Sequence, residues 1–519
     1  MNPLTKRSTS AFGLVMSLAL TAPAALAQLS SSGSATQGSL ANQLPLRGTD
    51  AQGGSVTATQ APIAGTTTSV NTLNTSVQAS GPYAGSIRST AKTPFTGTLS
   101  FLDAVQRGLD FNLGAEGMAQ AMRQAQGQAK VARSALLPNI TADASETIQQ
   151  TNLKVAGIRL NTNIAGLSIP SIVGPYNYFD LRAHLTQTIG DMTAWKNYRS
   201  AQELARSQQY ALKDARDMVV LAVGGSYLQV VAAKARLTSA QAQLTTATAL
   251  YRQATDQRTA GVLSLTDLNK SHIEVLTDQQ RLESLRNDLA KQKINLARMT
   301  GLPPNDEFEI SDDIPFAAGP DINLQDALAQ AYLSRQDLKV SASQLRASEL
   351  AKSAARAERL PSLAVSGDYG VNGINPDQSH RTFSGTATLS IPVWRGGRTE
   401  GDIQQADATF VQRRSELDNL HDKIESDIRS AFLDLQTTMK QVAVAEENLK
   451  VNQQTLELTR QRYEAGVTDN VEVVQAQEAV ANAELDRIDS VFANNIAKLN
   501  LARAMGNTET RLTLLLKLP

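Results

Sequence analysis

The 519-residue chain contains no cysteine and carries 49 Lys plus Arg against 49 Asp plus Glu, a formal net charge of zero. Those numbers exclude a disulfide framework and a lipid anchor on an N-terminal cysteine, and they leave no basic footprint for nucleic acid.

In chain order, Lys6 and Arg7 come first, then the apolar run Ala11 to Leu20 and the small-residue site Ala25-Leu26-Ala27. That order is a secretory signal peptide over residues 1–27. The run is too short to span about 30 Å of hydrocarbon, and no later stretch offers roughly 20 uninterrupted apolar residues. Any membrane crossing is therefore expected to be made by β-strands. Residues 28–94 are mostly Ser, Thr, Gly, Ala and Gln, a composition that buries too little to offset its ordering entropy, so a flexible leader is expected there.

The remainder is written twice. Leu99 to Val105 matches Ile322 to Leu328, and Leu137-Pro138 matches Leu360-Pro361, both at a shift of 223 residues. Ala260-Gly261-Val262 matches Ala465-Gly466-Val467, and Asn295 to Arg298 matches Asn500 to Arg503, both at 205. The first repeat is placed at 95–303, the second at 322–508, and a tail at 509–519. The smaller shift means that the first copy carries roughly 18 extra residues, expected between Lys154 and Asn177.

Each copy alternates long helices with short strands. Val230, Ala233, Leu237, Ala240, Leu244, Ala247 and Tyr251 are spaced three then four, the seam of a coiled coil. The same register in the second copy reads Leu435, Thr438, Val442, Ala445, Leu449, Asn452 and Leu456. The partner helix repeats every seven residues at Leu268, Val275, Leu282, Leu289 and Leu296; the second copy keeps this at Val473, Val480 and Leu501 but places Arg487 and Asn494 between them.

Strands are expected at about 139–153, 178–190, 362–374 and 382–394. In the last of these Phe383, Ala387, Leu389 and Ile391 alternate with Thr382, Ser384, Thr386 and Thr388, one face apolar and one polar. Ten-residue, two-faced strands suit a tilted bilayer-spanning sheet, whereas a soluble sheet with one wet face shows the same alternation. Four strands cannot close a barrel, and an open edge in lipid leaves backbone groups unpaired, so the barrel must be shared between chains. Two, three or more copies satisfy that requirement.

Two tandem copies of helix, Leu-Pro, strand pair, long helix, Ala-Gly-Val turn and returning helix resemble the TolC-like outer-membrane factors over nearly all of residues 95–510. The resemblance implies a mainly α-helical α+β membrane protein. It forms a homotrimer whose twelve-stranded β-barrel, four strands per chain, sits in the outer membrane and continues as a helical barrel through the periplasm. It implies a passive exit duct rather than an enzyme, without cofactor or metal, used in tripartite efflux or type I secretion. The implied partners are a periplasmic adaptor and an inner-membrane pump of RND, ABC or MFS type.

The turns carry the candidate site. Ala260, Gly261, Val262, Ala465, Gly466 and Val467 form two similar tips; glycine there ends a helix in the left-handed conformation, and the resemblance makes both tips adaptor contacts. It also places the periplasmic gate at Asp267, Tyr463 and Glu472, with Tyr463 and Asp267 a phenol–carboxylate pair between neighbouring hairpins. Thr468 and Gln475 depart from the family's arginine clamp and second acidic ring, so Arg462 or Asp469 is expected to take part instead. His184, His272, His380 and His421 share no ligand spacing, and Trp394 to Arg398 is read as the turn from strand to helix. Two other classes compete: a periplasmic coiled-coil adaptor, which should carry one hairpin and no duplicated amphipathic strands, and a non-transport scaffold, which needs no such strands.

Overall fold

A computed structural model of the protein describes residues 55–63, 72–87, 95, 97–153, 155, 171–305, 307–311, 316, 323–465, 467–468, 470–506 and 508–509, all within one unit, Leu44–Pro519. The signal segment and all of the tail except Glu509 lie outside the described residues.

Part of the stretch expected to be a flexible leader, residues 55–63 and 72–87, forms a hairpin; residues 28–54, 64–71 and 88–94 of it lie outside the described residues. β1 (Val56–Ile63) and β2 (Thr72–Ala79) pair antiparallel. Composition argued against order because the segment has little core of its own; the hairpin instead borrows one. Val56 is buried, and Ala58, Val77 and Ala79 pack against the central core.

β3 (Thr98–Leu99) leads into α1 (Phe101–Phe111) and α2 (Leu113–Ser134). Ser100 caps α1 by accepting from the Asp103 N–H at 3.1 Å, and Asn112 caps α2 by accepting from Gly114 at 2.9 Å. The strands β4 (Asn139–Asn152) and β5 (Ile172–Gly190) follow, then α3 (Met192–Thr259) and α4 (Leu265–Thr300). After β6 (Glu309–Ile310), which pairs parallel with β3, the series repeats. It comprises α5 (Leu324–Ser334), α6 (Gln336–Ala357), β7 (Ser362–Gly373), β8 (Ser379–Ser390), α7 (Arg398–Glu464) and α8 (Asn470–Met505).

The duplication governs element boundaries. α1, α2 and β4 begin 223 residues before α5, α6 and β7, while α4 begins 205 residues before α8. The offset changes within the β4–β5 hairpin, so the extra residues sit there. β5 begins at Ile172, six residues ahead of the expected 178, and its first residues pair with β4 as Ile172 with Asn152 and Val173 with Thr151. The fourth strand runs 379–390 rather than 382–394, because Pro392 has no N–H to give a ladder.

α3 and α7 contain 68 and 67 residues, about 100 Å each at 1.5 Å per residue. No proline interrupts either. Every residue of both expected seams is buried or half-buried. The polar position Asn494 falls inside the second seam, fully buried, where its amide donates to the Thr438 hydroxyl at 3.3 Å. In the first copy Ala233 and Leu289 stand at the same places, so a polar pair replaces an apolar one.

The central stretch of α3 is apolar and long enough to cross a membrane by composition, but 72% of it is packed inside the protein. It is the waist core: Val219, Val223 and Tyr227 meet Leu99, Phe101, Leu296 and Leu499. The Tyr227 hydroxyl donates to the Leu99 carbonyl at 3.0 Å, so the one polar atom of this large buried ring is satisfied. A second cluster joins α5, α7 and α8 through Leu328, Ile424, Ile428, Leu501 and Met505.

The four long strands form one antiparallel sheet in the order β4-β5-β7-β8. Its register gathers most apolar side chains on one face, with Arg381, Glu146 and Gln187 as polar exceptions there. Ala142, Ala183, Tyr369 and Phe383 share one row, and Ala144, Leu181 and Val371 lie in the next row of that face. On the opposite face Thr141, His184, Asp368 and Ser384 share a row, flanked by Asp143, Arg182 and Thr382. A slip of one residue at any pairing would mix the faces. Each strand continues directly into or out of a long helix, and the helices keep the strand order: α2, α3, α6, α7 beside the sheet, then α4, α3, α8, α7 at the far end.

Candidate functional site

The two hairpin turns lie at the ends of the α3–α4 and α7–α8 pairs, farthest along the chain from the sheet. In the first, α3 ends with Ala260 N–H donating to Asp256 O at 2.9 Å and Val262 N–H reaching back to Gln257 O at 3.0 Å. That second bond closes the helix end only if the residue between is left-handed, and Gly261 has φ +80°. The second turn repeats the bonds: Ala465 N–H to Gln461 O at 3.0 Å and Val467 N–H to Arg462 O at 2.9 Å. Gly466 and Asp469 lie outside the described residues. Both valines point away from the fold, Val262 at 76% and Val467 at 67% exposure. Space around Gly261 is open, with no atom within 4 Å of where a Cβ would stand.

The structure brings the gate candidates to these turns but partners them within one chain in its own way. The Tyr463 hydroxyl donates to the Gln257 side-chain oxygen at 2.7 Å, tying the second hairpin to the first. Asp267 instead completes a capping box on α4: the Ser264 hydroxyl accepts from Asp267 N–H at 3.1 Å and donates to its carboxylate at 2.6 Å. Lys270 lies 3.6 Å from the same carboxylate. Arg462 donates to Glu472 across the second turn at 3.4 Å, both side chains half-exposed. Gln257 was not legible as a partner because it lies 206 residues before Tyr463.

A second feature was also missed. Between the hairpins lies a cleft of about 190 Å³ into which Glu274, Asp278, Arg281, Arg460, Glu478 and Glu484 project. Burial pushes the Glu274 carboxyl above its ordinary value, and Asp278 and Glu478 push it further against Arg281. Burial raises Asp278 too, again opposed by Arg281. Closely packed hairpins therefore hold protons that separated hairpins release. Packing gains as pH falls from neutrality through the raised range and weakens as these groups ionise.

Among the described residues no group of three or more His, Asp or Glu side chains could hold a metal ion. His272 stacks on Tyr251 at 4.8 Å between α3 and α4, and His421 packs on Tyr332.

One family description, outer membrane efflux protein, matches residues 116–302 and again 327–507. The TolC outer membrane protein of Escherichia coli (strain K12) is 23% identical over 401 residues, covering 72% of this chain and 76% of that one. The outer membrane protein OprJ of Pseudomonas aeruginosa is 24% identical over 415 residues, covering 78% and 83%. A crystal structure of a membrane protein from Pseudomonas aeruginosa superimposes with a TM-score of 0.70 at 18% identity, over 81% of this chain and 96% of that one.

Proposed function

The chain belongs to the outer membrane efflux protein family, and from that premise we propose that three copies close into one continuous duct with a periplasmic gate, opened when an adaptor and an inner-membrane pump dock. The protein is an outer-membrane channel component; its closure, gate and partners are what the proposal adds.

One observation carries it. The subunit is a stave with two unlike open edges along its length: β4 with α2 and α4 on one side, β8 with α7 on the other. Unlike edges close head to tail into a ring, not face to face into a dimer. Three staves supply twelve strands. An apolar stripe marks the α7 edge, with Val444, Val451 and Leu458 exposed at intervals of seven, and Ile273 and Leu276 of α4 exposed on the other edge. The apolar face of the sheet suits lipid and the polar face a wet lumen. A channel of this kind supplies no energy, so direction comes from the pump. The experiment is membrane fractionation with heat-modified gel mobility: a detergent-extracted, heat-sensitive trimer is expected, and a water-soluble monomer would end the proposal.

At the mouth, the Tyr463–Gln257 bond holds the second hairpin against the first, and Arg462 and Glu472 stiffen its turn. Asp267 is available to a neighbouring copy through Oδ1, the carboxylate oxygen its cap does not use, where Lys270 stands 3.6 Å away. Three Glu472 carboxylates around an axis would repel one another and attract cations. Tyr463→Phe combined with Glu472→Ala is expected to raise single-channel conductance in planar bilayers several-fold, since the latch loses its bond and the constriction its charge. Unchanged conductance removes the gate from these residues.

The raised carboxyls of Glu274 and Asp278 between the hairpins set the sign expected of a pH dependence. Acidifying from about pH 7.5 to about pH 5 should lower the open probability by favouring packed hairpins. Glu274→Gln with Asp278→Asn should flatten that response. An open probability that rises on acidification would reverse the assignment.

A further inference from the structure

The level at which sheet becomes helix is strongly basic. All four long strands meet a helical segment at the same end of the sheet, and the nine residues flanking each of them there are 130–138, 191–199, 353–361 and 391–399. Together these stretches hold eight Lys and Arg against two acids, in a chain whose net charge is zero. Both acids are already engaged. Asp191 caps α3 through the N–H groups of Thr193 and Ala194, and buried Glu358 takes Arg395 at 3.3 Å. Three residues further along every flank the balance is still nine to four.

The only two tryptophans of the sequence stand in this layer, Trp195 at 45% and Trp394 at 87% exposure. Met192, Trp195 and Arg199 fall three then four residues apart on one exposed face of α3, and the Arg199 guanidinium lies over the Trp195 ring at 5.4 Å. After β8 the apolar alternation of Phe383, Ala387, Leu389, Ile391 and Val393 stops, and Trp394 and Arg395 follow at once. Ten steps from Phe383 to Val393, at about 3.3 Å each and a tilt of about 40°, rise about 25 Å, the height of the apolar band on a bilayer-spanning barrel. Arg381 bounds that band at one rim and the Trp–Arg layer bounds it at the other. Indole rings collect at such a boundary because one side of it is apolar and the other wet.

We propose that this layer seats anionic phospholipid headgroups of the leaflet on the helix side of the membrane, with Arg359, Arg395 and Arg398 taking the phosphate and the two tryptophans lying at the acyl boundary. The inference rests on the reading above that turns the apolar face of the sheet toward lipid. Each of the three guanidiniums meets a carboxylate through one nitrogen: Arg359 Nη2 with Glu400 at 3.0 Å, Arg395 Nη1 with Glu358, and Arg398 Nε with Asp402 at 3.4 Å. The other N–H groups of each five-donor fork remain for phosphate oxygens, which a planar guanidinium matches in pairs. A zwitterionic headgroup carries its own ammonium and gains little from a basic surface. An anionic one gains roughly five-fold in affinity per basic side chain close to it. Glu400 and Asp402 reduce that gain without cancelling it, since bases outnumber acids throughout the layer.

The two tryptophans make the layer its own reporter. The purified full-length protein is reconstituted in vesicles of phosphatidylcholine and phosphatidylglycerol, with bromine on the acyl chains of one lipid and then of the other. Quenching of indole fluorescence then gives the relative affinity of the layer for the anionic lipid. At low salt that ratio should be at least about three, and it should fall toward one in about 1 M KCl, where the Debye length is about 3 Å. Arg359→Gln with Arg398→Gln should lower the ratio at least about two-fold, whereas Arg359→Lys with Arg398→Lys should stay within about 1.5-fold of wild type. Arg395 is left in place because its removal would strand the buried Glu358 carboxylate. Heat-modified gel mobility verifies assembly, and the salt response of the wild type decides the matter if the glutamine pair fails to assemble. A wild-type ratio of one, or a ratio that the glutamine pair leaves unchanged, overturns the seat while an intact trimer keeps the channel. Quenching by neither brominated lipid, with the trimer intact, turns the layer toward the lumen or a neighbouring copy and overturns the seat as well. A protein that neither forms a trimer nor enters vesicles removes the channel reading, and the seat with it.

Discussion

Aspartate at both Val262 and Val467 is expected to reduce efflux to the level of a strain lacking the protein, while trimer and membrane insertion persist. The two valines are the most outward apolar groups of tips whose described residues make the same backbone hydrogen bonds. Closing a ring of three would present six such knobs to a docking partner, so each substitution acts at three places at once. Burying an unpaired carboxylate costs several kcal/mol, and about 3 kcal/mol at one tip already weakens binding about 100-fold. Valine is a better probe than Gly261, whose φ of +80° would strain any other residue by about 1–2 kcal/mol, mixing a folding defect into the readout. Dye accumulation in cells reports efflux, and heat-modified gel mobility reports assembly. Wild-type efflux from the double variant would show that the tips do not dock.

Periodic features were the legible ones, because each is fixed by neighbours a few residues apart. The heptad seam of α3 and α4 and the two-faced strand Thr382 to Ser390 follow from side-chain spacing alone, and the structure buries or half-buries the first and registers the second against β7. The start of β5 was not legible: Gly174-Pro175 reads as a loop, since proline cannot donate to a ladder, yet pairing with the end of β4 carries the strand through it.

The β1–β2 hairpin failed for a different reason. Its order depends on a groove made elsewhere, at Gly225 of α3, where a Cβ would stand 2.6 Å from Val77. Gln229 donates to the Val77 carbonyl and Asn500 to that of Ala58, both at 3.3 Å, so residues far away in sequence hold the leader down. At the mouth the same limit applied. The family resemblance named Tyr463 and Glu472 beside a turn, but Gln257 and Glu274 acquire meaning only when the two hairpins lie side by side.

Val444→Asp combined with Val451→Asp is expected to leave the protein monomeric and outside the membrane. In the single chain both side chains are exposed, at 63% and 48%, and neither belongs to the seam that α7 makes with α8. Folding of one stave does not need them. A ring does, because this stripe is the apolar part of the edge that must meet α2 and α4 of the next copy. Burying a valine is worth about 1.5–2 kcal/mol, and replacing it with an unpaired carboxylate adds a desolvation cost of several more; three interfaces are changed in each ring. Without closure β4 and β8 keep unpaired backbone groups that cannot enter lipid at several kcal/mol each, so loss of the helical contact removes the membrane-inserted state as well. Val467→Asp supplies the contrast: an equally exposed valine at the tip, off this edge, should leave the trimer whole. A heat-sensitive trimer recovered from the Val444 and Val451 variant would mean that α7 does not face a neighbouring copy, and with that the head-to-tail ring would lose its seam.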